Sequence, residues 1–504
     1  MQGDIEELNM LIYILDSFNI SQKAYHEVSM LYKSLPRSYK LSQYIIAMNS
    51  NFSITDTPDG CGVQQSLKER LPVVVEKLMK DNSNFSENDN VLHIKISGDG
   101  TRVGKHLNLV NVTFTIMNES RCGSAQGNYP LAIIKTPEKY EELQLGLSDI
   151  CSDVKDMQGT VIQIAHRTFT VRIYLGGDYK FLLTSVGISS IQAEFTCIYC
   201  KCGRKERGNL SKHWSMSSAD QGARLGYFEE SSGGKKANKK TSFSMARKPL
   251  FENIPLTDVV IDTLHMFLRI SDKLLSLLIT EIRMLDNISS TSTFRTGLDL
   301  EKFQHMKCFE NILQQLGIKF NFHINKETNK LEYSDLQGPE KHVLFDKLKI
   351  SDLHLDSKRS EQIQDIWDNF VSIMSLLSSE DPDPDTLHRL VDEWSNLYVT
   401  VYQCRDFTPY MHLLRSHVPE LVERHKNIVK FTQQGLEKAN DNITKQFFRA
   451  TNHKGNAALK QIIEKQNRMF ALEKCQRQKE KQTICTKCHI EGHRRNKCLE
   501  NTNV

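Results

Sequence analysis

VLHIKISGDG, residues 91–100, alternates apolar and polar side chains and ends on an aspartate between two glycines. That is the pattern of a strand running into a turn. Working outward, LNLVNVTFTIMNE (107–119) and YPLAIIKTP (129–137) read as a second and a third strand. EKYEELQLGLSDICSDVKDM (138–157) places its apolar residues at helical spacing, and GTVIQIAHRTFTVRIYLGGD (159–178) returns to one or two strands. DYKFLLTSVGI (178–188) reads as a short helix or loop. Upstream, residues 1–90 are expected to be mostly helical with a break at Pro36. From about 250 the periodicity is helical again, PLTDVVIDTLHMFLRISDKLLSLLITEIRML (255–285) giving one or two long amphipathic helices. KFNFHINKETNKLEYSDL (319–336) interrupts them as a hairpin.

The chain has 504 residues, room for two to four domains, with 65 Lys+Arg against 61 Asp+Glu. It contains no run of 18 apolar residues, which argues against a membrane span. MQGDIEELNM at the start lacks the basic and apolar regions of a secretory signal, so a secreted protein is not expected. The near-balanced charge hides two basic stretches. Residues 201–248 carry 12 Lys/Arg and 4 Asp/Glu, and 454–504 carry 12 and 5. Basic patches on an otherwise acidic chain point to a polyanion met at particular surfaces. Residues 229–248 also read as a mobile Ser/Gly/Lys linker, and KANKK (236–240) as a weakly specific nuclear-localisation patch.

Twelve Cys and 17 His suggest metal more than disulfides in a chain with no secretory signal. Cys485, Cys488, His493 and Cys498 form C-x2-C-x4-H-x4-C, three thiolates and an imidazole that complete a tetrahedral zinc set. So small a knuckle needs its metal to fold. Lys487, Arg494, Arg495 and Lys497 around it suit phosphate contacts, as expected of a nucleic-acid-binding knuckle. Cys197 and Cys200 supply half of a second site. The best complement is His412 and His417, whose spacing turns the second residue about 140° from the first on one helix. The pair therefore needs a helix end or a bend to converge.

Three strands, a helix and a strand is the order of the first half of a ribonuclease H-like fold. In such nucleases and transposases, acidic groups at the end of the first strand, after the last strand of that half and on a later helix hold two divalent ions. Asp99, Asp178 and Glu437 stand at those places, and hard oxygen ligands suit Mg²⁺ or Mn²⁺. Taken singly, Asp99 and Asp178 read as turn residues and Glu437 as a solvated helix residue. Asp262 and His265, at i, i+3 on an apolar helix, read as a core or cap pair, with a role supporting the metal-binding residues as the alternative. Trp214, Trp367 and Trp394 read as packing residues.

Together the motifs carry a resemblance. ISGDG (96–100), LGGDYKFLLTSVG (175–187), TCIYC (196–200), PYMHLLRSHVP (409–419) and GLEKANDNITKQFFRATN (435–452) resemble the catalytic core of the V(D)J recombinase and its relatives, the Transib-type DDE transposases. Cys197 follows Asp178 by 19 residues and Glu437 follows His417 by 20, intervals that match the family. The resemblance implies Asp99, Asp178 and Glu437 as the catalytic metal-binding triad, and Cys197, Cys200, His412 and His417 as one structural zinc site. It implies metal-dependent nicking of DNA followed by strand transfer through hairpin ends. It also implies a nuclear protein acting as a homodimer on element ends and target DNA; whether an accessory subunit joins it, the sequence does not show. The Asp99–Asp178 interval is shorter than in the recombinase, and 90 residues before the core leave little room for the family's N-terminal extensions. The alternative reading is a captured, inactive remnant that binds nucleic acid through zinc without cutting.

The expected fold is α+β, a ribonuclease H-like mixed sheet interrupted by a large, mainly helical zinc-containing insertion. The expected segments are a helical N-terminal region at 1–90, for DNA binding or dimerisation, and the first half of the core at 91–190. The insertion follows at 191–425 with its basic loop at 201–248, then a helix completing the core at 426–455 and the basic tail with its knuckle at 456–504.

Overall fold

The computed structural model describes residues 2–475 except 82–84, 86–88, 218–221, 223–224, 227–228, 230–241, 290–291, 295–299 and 404–405. The Cys485/Cys488/His493/Cys498 knuckle, its four basic neighbours and the 236–240 patch lie outside the described residues. Two compact units are formed, Met1–Ile54 with the chain from Ile443 onward, and Thr55–Asn442.

The first unit opens with helices α1 (Gln2–Ser17), α2 (Gln22–Leu31) and α3 (Ser38–Asn49). Ser21 caps α2 by accepting from the Ala24 N–H, and Pro36 lies between α2 and α3. Ile12, Leu15, Tyr25, Leu41 and Leu472 make its buried core.

The second unit is built on an eight-stranded mixed, mostly antiparallel sheet. Its strands are β1 (Thr55–Asp56), β2 (Gly62–Gln64), β3 (Val91–Val103), β4 (Leu107–Ile116), β5 (Tyr129–Ile134), β6 (Val161–Ile164), β7 (Arg167–Gly177) and β8 (Val259–Ile261). The order is β1-β2-β5-β4-β3-β7-β6, with β8 also on β7, and the β3/β7 and β7/β8 pairs are parallel. Helices α4 (Leu67–Asp81), α5 (Tyr140–Gly146) and α6 (Ser148–Met157) precede β6, and α7 (Tyr179–Ser185) follows β7. Leu71, Val74, Val75 and Leu78 bury one stripe of α4, and Ile150 and Val154 one stripe of α6.

Two expectations change. Asp99 does not end its strand: β3 runs on to Val103, because antiparallel pairing with β4 continues to Val103↔Leu107 after parallel pairing with β7 stops at Gly98↔Gly177. Val259–Ile261 is a strand, not the start of a helix. In a three-residue buried run nothing distinguishes the two by periodicity.

After β8 the unit is helical: α8 (Thr263–Leu285), α9 (Gln304–Gln315), α10 (Gly338–Lys347), α11 (Ser357–Leu377), α12 (Pro384–Tyr402), α13 (Pro409–Ser416) and α14 (Val418–His425). The expected hairpin is β9 (Phe322–Ile324) paired antiparallel with β10 (Leu331–Tyr333). Trp367 and Trp394 are fully buried, Trp367 stacking on Phe345 at 4.2 Å between centroids. Helix α15 is Gln434–Ala450, and α16 (Gly455–Ala471) belongs to the first unit.

Candidate metal centre and acidic cleft

The Cys-x2-Cys segment is strapped to its surroundings at several points. The Tyr179 hydroxyl donates to the Thr196 carbonyl at 2.6 Å, and the Tyr199 hydroxyl to the Val259 carbonyl at 2.7 Å. On the other side Thr408 caps α13. That helix stops at Ser416, and His417 adopts φ −130°, ψ −23° before α14 starts. Pro419 in the first turn of α14 fits this break, since it has no N–H to continue the previous helix. The break is the bend that His-x4-His requires.

Cys197, Cys200, His412 and His417 consequently meet, with donor atoms all within 4.8 Å of one another. Cys197 Sγ lies 3.3 Å from His417 Nε2, and Cys200 Sγ 3.4 Å from His412 Nε2. A tetrahedron with bonds of ~2.0–2.3 Å has edges of roughly 3.3–3.8 Å, so this set can hold a zinc ion. All four residues are at most 3% exposed. Glu420 Oε2 accepts from His417 Nδ1 at 3.1 Å, and Ser416 Oγ lies 3.4 Å from His412 Nδ1, leaving both Nε2 atoms for metal. Burial works against a Cys197 thiolate, yet the hydrogen bond from Cys200 and the two imidazoles outweigh it, and the thiol sits well below its ordinary value. Burial would likewise lower His417, but Cys197 and Glu420 push it up to about 9. The pocket is tuned to hold a thiolate.

The acidic residues gather at the carboxyl ends of the parallel strands. Gly98, Gly177 and Ile261 are aligned across β3, β7 and β8, so Asp99, Asp178 and Asp262 each stand one residue beyond that row. Phe181 packs over Gly98 and Gly177, and a Cβ at either would fall within 2.3 Å and 2.6 Å of its ring. Asp178 caps α7 by accepting from the Phe181 N–H at 2.7 Å. Asp262 caps α8, accepting from the Leu264 and His265 N–H groups at 3.1 and 2.9 Å.

Glu437 comes to the same cleft from α15. His265 bridges, its Nδ1 2.5 Å from Asp262 Oδ2 and its Nε2 3.5 Å from Glu437 Oε1. Asn440, one turn after Glu437, donates to Asp99 Oδ2 at 2.7 Å. Burial, then the charges of Asp178, Glu138 and Glu437, pushes the Asp99 carboxyl up to about 7 against the opposing pull of His265. Burial also raises Glu437, His265 opposing and Asp262, Asp441 and Asp178 adding to the rise. Burial pulls the His265 imidazole down, but its Asp262 bond and the charges of Asp178 and Glu437 outweigh that, and it ends above its ordinary value.

Glu138 is a carboxylate the sequence reading passed over. Its side chain is 5% exposed, Lys180 holds Oε2 at 2.8 Å, and Oε1 is buried without a hydrogen-bond partner. Asp262 and His265, expected as a cap pair, are one, and they also reach Glu437. For Asn440 the sequence carries no signal, because it meets Asp99 across 341 residues, and Glu138 is one of three glutamates at 138–142 that nothing in the sequence sets apart. Among the described residues the Cys/His set is the one group of potential ligands drawn within 4.8 Å, and the carboxylates are more widely spread. Among the described residues, too, no helix is long and apolar enough to cross a membrane.

No family model matches the chain, and no curated protein matches it.

Proposed function

We propose that the chain is a DDE-type DNA transposase or recombinase that nicks DNA and transfers strands, built on a ribonuclease H-like core with a structural zinc in its helical insertion. The observation that carries the reading is the row of Asp99 and Asp178 beyond paired parallel strand ends, with Glu437 linked to it through His265 and the neighbouring Asn440. The donor set is all oxygen, and the buried Oε1 of Glu138 lacks a partner, which fits hard divalent cations there. Two Mg²⁺ or Mn²⁺ ions, when bound, supply activation of the attacking water or 3′-hydroxyl and charge stabilisation in in-line phosphoryl transfer. Asp99, Asp178 and Glu437 would hold them, with Glu138 adding a fourth carboxylate. His265, fixed by Asp262, would orient Glu437 and hold a proton at Nε2. The basic tail would meet DNA, in a nuclear homodimer handling two DNA ends.

The test is nicking and strand transfer by the full chain on duplex DNA in Mn²⁺. Asp99→Ala and Asp178→Ala should each abolish cutting while leaving DNA binding intact. A wild-type chain that binds DNA and zinc but never cuts would favour the captured-remnant reading instead.

A further inference from the structure

The two faces of β3 differ in an unusual way. Leu92, Ile94 and Ile96 point to one side, while Lys95, Ser97 and Asp99 alternate on the other. Directly opposite on β4, Thr115, Thr113 and Asn111 pair with those three residues and share their face. A polar sheet face is ordinarily wet, yet Lys95, Ser97, Thr113, Thr115 and Asn111 are at most 1% exposed. What covers them is the segment that leads into and begins α15.

Each residue of the β3 row bonds that segment in turn. Lys95 Nζ donates to the Phe431 and Thr432 carbonyls at 3.3 and 3.0 Å. Gln433 Nε2 lies 3.5 Å from Ser97 Oγ, and its backbone N–H donates to Asp262 Oδ1 at 3.0 Å. Asn440 Nδ2 donates to Asp99 Oδ2 at 2.7 Å. A carboxylate accepts only, so the Asn440 amide must turn its oxygen the other way, where Asn111 Nδ2 donates to it at 2.9 Å. Thr113 and Thr115 hold Asn128, which sits under Gly435, where a Cβ would fall 2.5 Å from Asn128 Nδ2 and 2.6 Å from the Ser124 carbonyl.

An apolar interface tolerates sliding, because burial is non-directional. A ladder of directional bonds at 95, 97 and 99 does not, since a shift of one residue leaves buried polar groups unpaired. We propose that this buried polar row is a register-setting seat for the helix that carries Glu437, with Lys95, Asn111 and Asn440 as positioning residues for the divalent-cation site. The proposal rests on Glu437 being a ligand of that site.

The experiment uses the full chain and two readouts. Mn²⁺ affinity is measured by electron paramagnetic resonance, and amide hydrogen exchange is followed in residues 434–442. Lys95→Met, Asn440→Ala and Gly435→Ala should each weaken Mn²⁺ binding about tenfold, the effect usual for outer-shell partners, and raise exchange in 434–442. Gly435→Ala removes no functional group, and by helix propensity alone it would strengthen α15. Asn111→Ala with Asn440→Ala should weaken binding no more than twofold beyond Asn440→Ala alone, since Asn111 acts through Asn440. Leu78→Ala, a core change on α4, is the stability control and should leave Mn²⁺ affinity unchanged. Unchanged affinity and exchange in the folded seat variants would overturn the proposal, as would an equal loss in Leu78→Ala. A wild-type chain that binds no Mn²⁺ refutes the metal reading, and exchange in 434–442 then decides the seat by itself.

Discussion

Replacing Asp99 by Asn should stabilise the metal-free protein, and the size of the effect follows from the site. The carboxyl is raised from an ordinary 3.8 to about 7, with burial as the largest cause. Each unit corresponds to about 1.4 kcal/mol, so ionised Asp99 disfavours folding by about 4 kcal/mol at most, reduced by solvent access to roughly 2–4 kcal/mol. The folded-state value lies above the unfolded one, which sets the sign. Below about pH 4 the group is neutral in both states. Between about 4 and 7 the unfolded chain ionises first and stability falls, levelling off above 7. Asn at this position keeps an oxygen for the Asn440 donor and carries no charge. At pH 8, Asp99→Asn should therefore melt roughly 2–8 °C higher, at about 1–2 °C per kcal/mol for a chain this long, and the gap should close as pH falls toward 4. The assay is thermal unfolding by fluorimetry in metal-scrubbed buffer without chelator, so that an ion bound at the Cys/His cluster is retained. Mn²⁺ at 100 times its Kd should then stabilise wild type by about 2.7 kcal/mol and the variant far less. A variant less stable than wild type at pH 8, or a gap that does not change with pH, refutes the reasoning.

Cys197→Ser should remove one equivalent of zinc by elemental analysis and destabilise the chain by at least about 3 kcal/mol, as loss of a metal site does; unchanged zinc content counts against the Cys2His2 site. Glu138→Gln keeps shape but loses charge, and should weaken Mn²⁺ binding about tenfold; unaltered affinity removes Glu138 from the site. In the first unit, Arg468 meets Asp16 through two bonds of 2.9 and 3.0 Å and Asn49 through a third of 2.7 Å. Arg468→Ala strands a largely buried carboxylate and should cost about 3–5 kcal/mol in urea unfolding, whereas a loss under 1 kcal/mol would show that water reaches Asp16.

How much of this is legible in sequence depends on whether a pattern is local. The strand from 91 announces itself by alternation, though not its run past Asp99 to Val103, and the Cys-x2-Cys segment announces itself by spacing. The alternation misleads in one respect: a polar face predicts exposure, and here helix α15 covers it. His412 and His417 read as divergent because the spacing assumes one helix, and the break at His417 is a tertiary outcome of Thr408 capping and Pro419. Asp262 stands out with His265 by spacing, but its alignment with Asp99 and Asp178 does not, because β8 is three buried residues with no period of their own and the row appears only once β7 has paired on both sides.

A zinc ion held by the Cys/His cluster and the polar seat would divide one task between them. Asp178 and Glu437 are 259 residues apart, but 19 residues separate Asp178 from Cys197 and 20 separate His417 from Glu437. A metal joining Cys197 to His417 shortens the path between the carboxylates to roughly 40 residues, which lowers the loop-closure penalty by about 1.7 kcal/mol. That helps the two ends meet but cannot fix a helix to within an ångström, since a 20-residue tether is far longer than the tolerance of a metal site. Register must come from the directional bonds of Lys95, Ser97 and Asp99. The two contributions should therefore separate experimentally. Removing zinc should lower global stability and Mn²⁺ affinity together, whereas Gly435→Ala should lower Mn²⁺ affinity with little change in melting temperature. If both perturbations move melting temperature and Mn²⁺ affinity in the same proportion, the seat has no positioning role separate from the fold.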